Sequence, residues 1–242
     1  MERLLELTSR AEASHFWFRG FRRFVSPLLA RAAAGRRDLT LLDCGCGTGH
    51  NLRTVLAPYG HVYGMDLSAA GLDLARAAGR PLVRADAARI PFPSRTFDIV
   101  TSFDMLQCVP DDEAALAEIA RVLRSGGHLV GSVAALEVLH GDHSVLSEEV
   151  RRYMRRELVE KLERAGLQPI EASYAFASVF PLLLGVRMLQ RARGAHATGQ
   201  EISVPPAPLN AALTALVGGE AALARRIRMP IGSSLVFLAK AG

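Results

Sequence analysis

Short apolar runs alternate with helical patterns through the middle of the chain, and this alternation restricts the fold more than any other feature. Strands are predicted at 39-LTLLDC, 61-HVYGMD, 82-LVRAD, 97-FDIVTSF and 128-HLVGSVA. Helical stretches lie between them: 49-GHNLRTVLA closed by Pro58, 68-SAAGLDLARAAG opened by a Ser N-cap and closed by Gly79, and 111-DDEAALAEIARVLRSGG. The last begins with acids and ends with Arg121, Arg124 and a glycine pair, as the helix dipole and C-cap chemistry favour. Strands joined by helices in this way form βαβ units and a parallel sheet, so an α/β, doubly wound architecture is expected.

After residue 150 the pattern changes. A helix over 154-MRRELVEKLERAG leads into a strand at 167-LQPIEASYAF, and the chain ends in another at 233-SSLVFLAKA. With 242 residues, 50% hydrophobic and 22% charged, the chain can bury one large core, so a single domain over 1–242 is expected. Within it, residues 1–37 read as an N-terminal helical lid, 38–176 as a cofactor-binding core, 177–232 as a helical insertion on the substrate side, and 233–242 as a last strand returning to the sheet.

The stretch 41-LLDCGCGTGHN places Gly45, Gly47 and Gly49 directly behind an apolar run. In doubly wound sheets the first βα turn supplies backbone amides and close approach to a ligand. The third glycine comes one residue earlier than in the dinucleotide fingerprint GxGxxG, and Asp43 stands just before the turn. An acid at the end of the next predicted strand, Asp66, lies about 20 residues past the first glycine, where a carboxylate receives ribose hydroxyls. Together these features point to a nucleoside cofactor without a pyrophosphate.

LLDCGCGTG, YGMDLS, VRADAARIPF, FDIVTSFDMLQCV and RVLRSGGHL, in this order and spacing, resemble the class I S-adenosylmethionine-dependent methyltransferases. HFWFRGFRRF, HGDHS, RRYMRREL, PPAPLNAAL and MPIGSSL extend the similarity to the type-11/type-12 methyltransferase-domain relatives. The resemblance implies a Rossmann-like seven-stranded sheet, mostly parallel with an antiparallel C-terminal strand, and S-adenosyl-L-methionine as cofactor. It further implies that Asp43, Gly45, Cys46, Gly47 and Gly49 line the methionine portion, with Asp43 near the ammonium. Asp66 would take the ribose hydroxyls, Leu67 and Ser68 flank the adenine, and Asp86 receive its exocyclic amine, with Ala87 closing that side. Phe103, Asp104 and Gln107 would face the sulfonium. The implied reaction is methyl transfer to a small-molecule or carrier-bound acceptor in glycan or secondary-metabolite biosynthesis, at a hydroxyl more than at nitrogen; the alternatives are an N-methyltransferase and a non-catalytic, cofactor-binding or membrane-associated interaction protein.

A sulfonium carries its own electrophile, so the protein supplies orientation and electrostatics, and a base is useful rather than obligatory. The expected base lies in 140-HGDH-143, where His143 or His140 could take a proton and Asp142 orient a ring. Loose spacing and the lack of a fourth partner give no metal site there. The relatives carry Glu-His where this chain has Gln107-Cys108, and Gly-His where it has Glu148-Glu149. Tyr153 is expected to border the acceptor pocket. Phe16, Trp17 and Phe18 read either as an aromatic helix face packed on the sheet or as a lid, with Trp17 over the cofactor.

The net charge of +5 is spread among interspersed acids, so nucleic acid is not an expected partner, and the arginines of 151-RRYMRRE read as a salt-bridge-laced helix face. Three cysteines, Cys44, Cys46 and Cys108, suit a reducing, cytoplasmic setting, and the charge-broken N-terminus does not resemble a signal peptide. The segment 179-VFPLLLGVRMLQRAR is expected to pack in the core or on the rim, with lining of an apolar acceptor pocket or peripheral contact to a membrane as the alternatives, and not to cross a bilayer.

Overall fold

The structure is a computed structural model describing residues 2–192 and 204–242, with the side chains of residues 2, 3, 142, 143 and 192 outside that description. Two helices, α1 (Glu2–Ala11) and α2 (Phe16–Ala33), precede the first strand, β1 (Leu39–Cys44). There follow β2 (Gly60–Asp66), α3 (Ala69–Ala75), β3 (Leu82–Arg84), β4 (Phe97–Phe103), α4 (Asp112–Val122) and β5 (Leu123–Ala134). The remainder is α5 (Asp142–Leu146), α6 (Arg155–Arg164), β6 (Leu167–Ala175), α7 (Phe180–Ala192), α8 (Ala207–Ala224) and β7 (Ser234–Ala241).

The strands form a seven-stranded sheet in the order β3-β2-β1-β4-β5-β7-β6. Only β7 runs antiparallel, wedged between β5 and β6. Central strands are buried on both faces, which is why β1 and β4 read as continuous apolar runs. Alternate residues serve opposite cores: Leu42, Cys44 and Val100 pack with α4 and α6, whereas Leu41 and Ile99 pack beneath α2. Asp43 and Thr101, which pair across β1 and β4, share the α2 face.

β1 pairs with β2 on one side and with β4 on the other, so the chain winds outward in opposite directions from this seam. A crevice opens beyond the carboxyl ends of strands at such a switch point, and the turns after β1, β2, β3 and β4 all meet there.

Two local expectations change. The helix predicted over 111–127 stops at Val122, because Leu123 already pairs with Phe97 while His128 pairs with Ile99. Residues Arg124–Gly127 are looped out between those two pairs, with Gly126 at φ +77°, so the glycine pair serves a strand irregularity rather than a helix cap. Asp98 holds this amino end of the sheet, accepting from Thr40 N (2.8 Å) and Arg124 Nη1 (2.7 Å). The helix predicted after the glycine stretch adopts a π turn over Leu52–Leu56 and a 3₁₀ turn over Ala57–Tyr59, since Pro58 cannot continue an α-helix.

The segment between β6 and β7 packs on the N-terminal helices as well as on the sheet. Arg23 Nη1 donates to Thr214 O (3.0 Å), and Asn210 Oδ1 accepts from Phe16 N (2.8 Å), which fixes α8 along α2.

Candidate functional site

The turn after β1 is held from three directions. Gly45 N and Cys46 N both donate to Met65 O (2.8 and 2.9 Å), tying the loop to β2. Gly47 N donates to Asp66 Oδ2 (2.7 Å), and Asp66 Oδ1 accepts from Ser68 N (2.8 Å), so the acid closing β2 is part of the loop's scaffold. Thr48 Oγ1 donates to Glu12 Oε1 (2.5 Å) at the end of α1. The glycines are required by this path. Gly49 has φ +75°, and a Cβ there would lie 2.8 Å from the Ala75 backbone; Gly45 has φ +83° and a Cβ would run into Met105.

Asp43 is 1% exposed and accepts from Thr101 Oγ1 (2.7 Å). Burial pushes its carboxyl up to about 7, against the Thr101 hydrogen bond and with a further push from the charge of Asp66. It therefore sits at the balance between neutral and ionised and can answer a nearby cation. The thiols of Cys44 and Cys46 are also raised by burial, so neither offers a thiolate.

Around Asp66 the groups differ in what they leave free. Leu67 is 62% exposed, an apolar side chain standing beside a carboxylate. Ser68 uses its hydroxyl to cap α3, accepting from Gly71 N (3.1 Å), so it supports the turn rather than presenting a free hydroxyl. Asp86 is exposed and bends its own turn by accepting from Ala88 N (2.9 Å), with Ala87 buried behind it.

At the end of β4, Asp104 has φ +52°, a conformation sparsely used by non-glycine residues and concentrated at functional sites. Its backbone N–H reaches Ser132 O (3.0 Å), and Ser132 Oγ donates to its Oδ1 (2.9 Å). The residue remains exposed to solvent at the strand end. Its protein walls push the carboxyl up to about 6; the Ser132 and Gln107 hydrogen bonds and Arg152 oppose this, while the charge of Glu149 adds to it. Gln107 is buried and accepts from Ala134 N (3.3 Å). Phe103 turns its ring onto Phe21 of α2 (centroids 5.1 Å apart), leaving its backbone as the part that can meet a ligand.

Two residues, Tyr153 and Trp17, occupy places other than those expected. Tyr153 is fully buried, and its hydroxyl donates to Asp112 Oδ2 (2.6 Å) on the opposite side of the sheet from α2, so it does not border an acceptor pocket. Trp17 stacks on Phe176 (centroids 3.9 Å, planes 7° apart), a packing contact at the end of β6 rather than a cover over the cofactor turn. Leu5 and Glu12 of the α1 region lie over that turn instead. His140 lies in the loop after β5, where its carbonyl accepts from Arg191 Nη2 (3.2 Å) of α7. His143 belongs to α5, and its side chain lies outside the described residues.

The basic segment before α6 turns inward. Arg151 donates to Val109 O (2.5 Å) and Pro110 O (2.6 Å), and Arg152 pairs with Glu149 (2.8 Å) with both side chains buried. Arg152 also donates to Ser144 Oγ (3.0 Å) and Ala135 O (3.2 Å), binding α5 to the carboxyl end of β5. Among the described residues, no three His, Cys, Asp or Glu side chains gather as a metal site.

Thr101, Ser132, Glu12 and Met105 were not singled out from the sequence, and the pairing of Glu149 with Arg152 was not foreseen. Thr101 and Ser132 carry a signal only once strand register is known: each faces a strand-end acid from a neighbouring strand.

Residues 42–131 match the family model described as a methyltransferase domain. A phthiotriol/phenolphthiotriol dimycocerosates methyltransferase of Mycobacterium leprae is 37% identical over 100 residues, covering 40% of this chain and 37% of the relative. A malonyl-[acyl-carrier protein] O-methyltransferase of Herminiimonas arsenicoxydans is 32% identical over 173 residues, 67% of this chain and 65% of the relative. This chain thus spans less than two-thirds of the length of either relative. The fold matches that of a solved S-adenosylmethionine-dependent methyltransferase from Thermotoga maritima with a TM-score of 0.60 at 18% identity, covering 100% of this chain and 97% of that one.

Proposed function

We propose, from the premise that the core of this chain is a class I methyltransferase domain, that it transfers the methyl group of S-adenosyl-L-methionine to a hydroxyl on a small or carrier-bound acceptor. The observation that carries this reading is the joining of the glycine turn to Asp66 through Gly47 N, beside a buried Asp43. That arrangement offers ribose hydroxyls a fixed carboxylate and an ammonium group a titratable one, and it has no provision for a pyrophosphate. Leu67 supplies an apolar face for adenine, and Asp86 an acceptor for its exocyclic amine.

The bound cofactor supplies an electrophilic methyl on a sulfonium; the chain's own residues position the partner and manage the proton. Attack by the acceptor oxygen forms the new C–O bond as the methyl–sulfur bond breaks, and the hydroxyl proton must leave the oxygen. Asp104, held by Ser132 and exposed to solvent, would receive it, with a carboxyl near the range where a base works at neutral pH. His143 is the competing base from α5. Positioning supplies the larger share: about 7–11 kcal/mol of barrier is available from orientation, against roughly 3–5 kcal/mol from a base. Oxygen as the accepting atom, and a carrier as the acceptor's handle, draw support from the Herminiimonas relative, which is named for both.

Calorimetry tests the cofactor half: S-adenosylmethionine and S-adenosylhomocysteine should bind, and NAD should not. Radiolabelled methyl transfer to a panel of hydroxyl, carboxyl and amine acceptors, free and carrier-bound, tests the rest. Label appearing on amines alone would overturn the assignment to oxygen.

A further inference from the structure

α8 turns its polar side chains inward. Asn210 accepts from Phe16 N and donates to Ser14 O (2.9 Å), and Glu220 accepts from Ala177 N (2.8 Å) and Ser178 N (2.9 Å) in the turn between β6 and α7. Glu220 is the one charged residue in the helix, and it is buried. The outward side is a continuous apolar line: Leu209, Leu216 and Leu223, 52%, 50% and 48% exposed, with Ala212 and Gly219 between them. Directly after the helix come Arg225, Arg226 and Arg228, all exposed, interleaved with the exposed Ile227. None of these arginines has an acidic partner among the described residues.

Among the described residues α8 is the helix long and apolar enough to cross a membrane by length and composition. It is held to the start of α2 and to the turn after β6 along its inner side, however, so leaving the fold would break the hydrogen bonds of Asn210 and Glu220. An exposed apolar line ending in unpaired cations suits the boundary between acyl chains and anionic headgroups, where the leucines enter and the arginines meet phosphate.

We propose that the outer face of α8, with the arginines that follow it, docks this protein on an anionic lipid surface. A second copy of the chain fits the face less well. Pairing two such faces offers no acid to receive either set of arginines, and one helix against its copy falls short of the roughly 1,000 Å² that a stable interface buries. The proposal is independent of the acceptor, since nothing in it depends on methyl transfer.

Co-sedimentation of the full chain with vesicles of phosphatidylcholine alone, and of phosphatidylcholine mixed with phosphatidylglycerol, tests it. Binding is expected to the mixed vesicles, weakly or not at all to the neutral ones, and to decline with added salt. Affinity should fall on the order of fivefold for each of Arg225→Gln, Arg226→Gln and Arg228→Gln. Leu216→Asp should abolish sedimentation while leaving the melting curve and cofactor calorimetry unchanged. Absence of binding to the mixed vesicles would overturn the proposal, as would equal binding to both compositions. A concentration-dependent dimer that Leu216→Asp dissolves would overturn it too, assigning the face to a second copy.

Discussion

Asp66 Oδ2 accepts the Gly47 N–H at 2.7 Å, so the carboxylate that ends the second strand also shapes the turn that follows the first. One side chain thus ties the turn after β1 to the end of β2.

Asp66→Ala removes a charged acceptor from the loop and, on the proposed reading, from the cofactor's ribose. Hydrogen bonds to charged groups contribute about 1.5–3 kcal/mol each, so removing the acceptor for both ribose hydroxyls should weaken binding by about 100-fold or more. Calorimetry with S-adenosylhomocysteine should show this alongside a small drop in melting temperature. Unchanged affinity would remove Asp66 from the site.

Asp43 makes a prediction with a definite sign. Its carboxyl is at about 7 when folded against an ordinary 3.8, so between those values the folded chain binds more protons than the unfolded one. Stability from this group is greatest below the ordinary value and is lost as pH rises through about 7. Asp43→Asn keeps an acceptor for Thr101 but cannot ionise, so its melting temperature should exceed wild type increasingly toward pH 7 and level off above it. Cofactor affinity should move the other way. An incoming ammonium favours the carboxylate, so wild-type affinity should rise with pH across about 7, while the variant's stays low and flat.

Trp17 and Phe176 stack face to face. Trp17→Ala should cost about 2–4 kcal/mol of stability, measured by denaturant unfolding, and leave cofactor affinity within about twofold because the sites share no partner. A large loss of affinity at unchanged stability would instead place the ring over the cofactor.

Asp104 lies between opposing charges. Carbon-13 NMR titration should find its carboxyl near 6, moved down by Glu149→Gln and up by Arg152→Met, because Glu149 raises it and Arg152 lowers it. Arg152→Met should also destabilise the fold by roughly 3–5 kcal/mol by leaving Glu149 buried and unpaired.

Tyr153→Phe separates structure from chemistry. Loss of the hydrogen bond to Asp112 should cost about 1–2 kcal/mol with kcat unchanged once an acceptor is known. Burial opposes ionisation of Asp112, but hydrogen bonds from Lys161 and Tyr153 and the charge of Arg151 overcome it and hold its carboxyl below the ordinary 3.8. The stability it contributes is present above that value and lost as pH falls below it, and the variant should lose part of that acid dependence.

Most of the strand positions, the glycine turn and the acids at the ends of β1, β2 and β4 were legible from residue type and spacing. Periodicity, turn chemistry and strand-end acids are local properties, written within a few residues of where they act. The roles of Trp17 and Tyr153 were not legible, because an aromatic ring or hydroxyl takes its role from what packs against it. Their partners, Phe176 and Asp112, come from distant parts of the chain. The glycine pair at 126–127 misled for a related reason: the same residues suit a helix end and a strand irregularity, and only pairing of Leu123 with Phe97 chooses between them.

By itself the sequence determined the βαβ order, the side of the sheet where a ligand turn forms and the nucleoside character of that turn, since each follows from short-range backbone geometry. Tertiary structure alone decided that β7 inserts between β5 and β6, that Thr101 and Ser132 steady Asp43 and Asp104, and that α8 packs its few polar groups inward and leaves its leucines outside. Those outcomes depend on which distant surfaces are buried together, and burial belongs to the assembled fold.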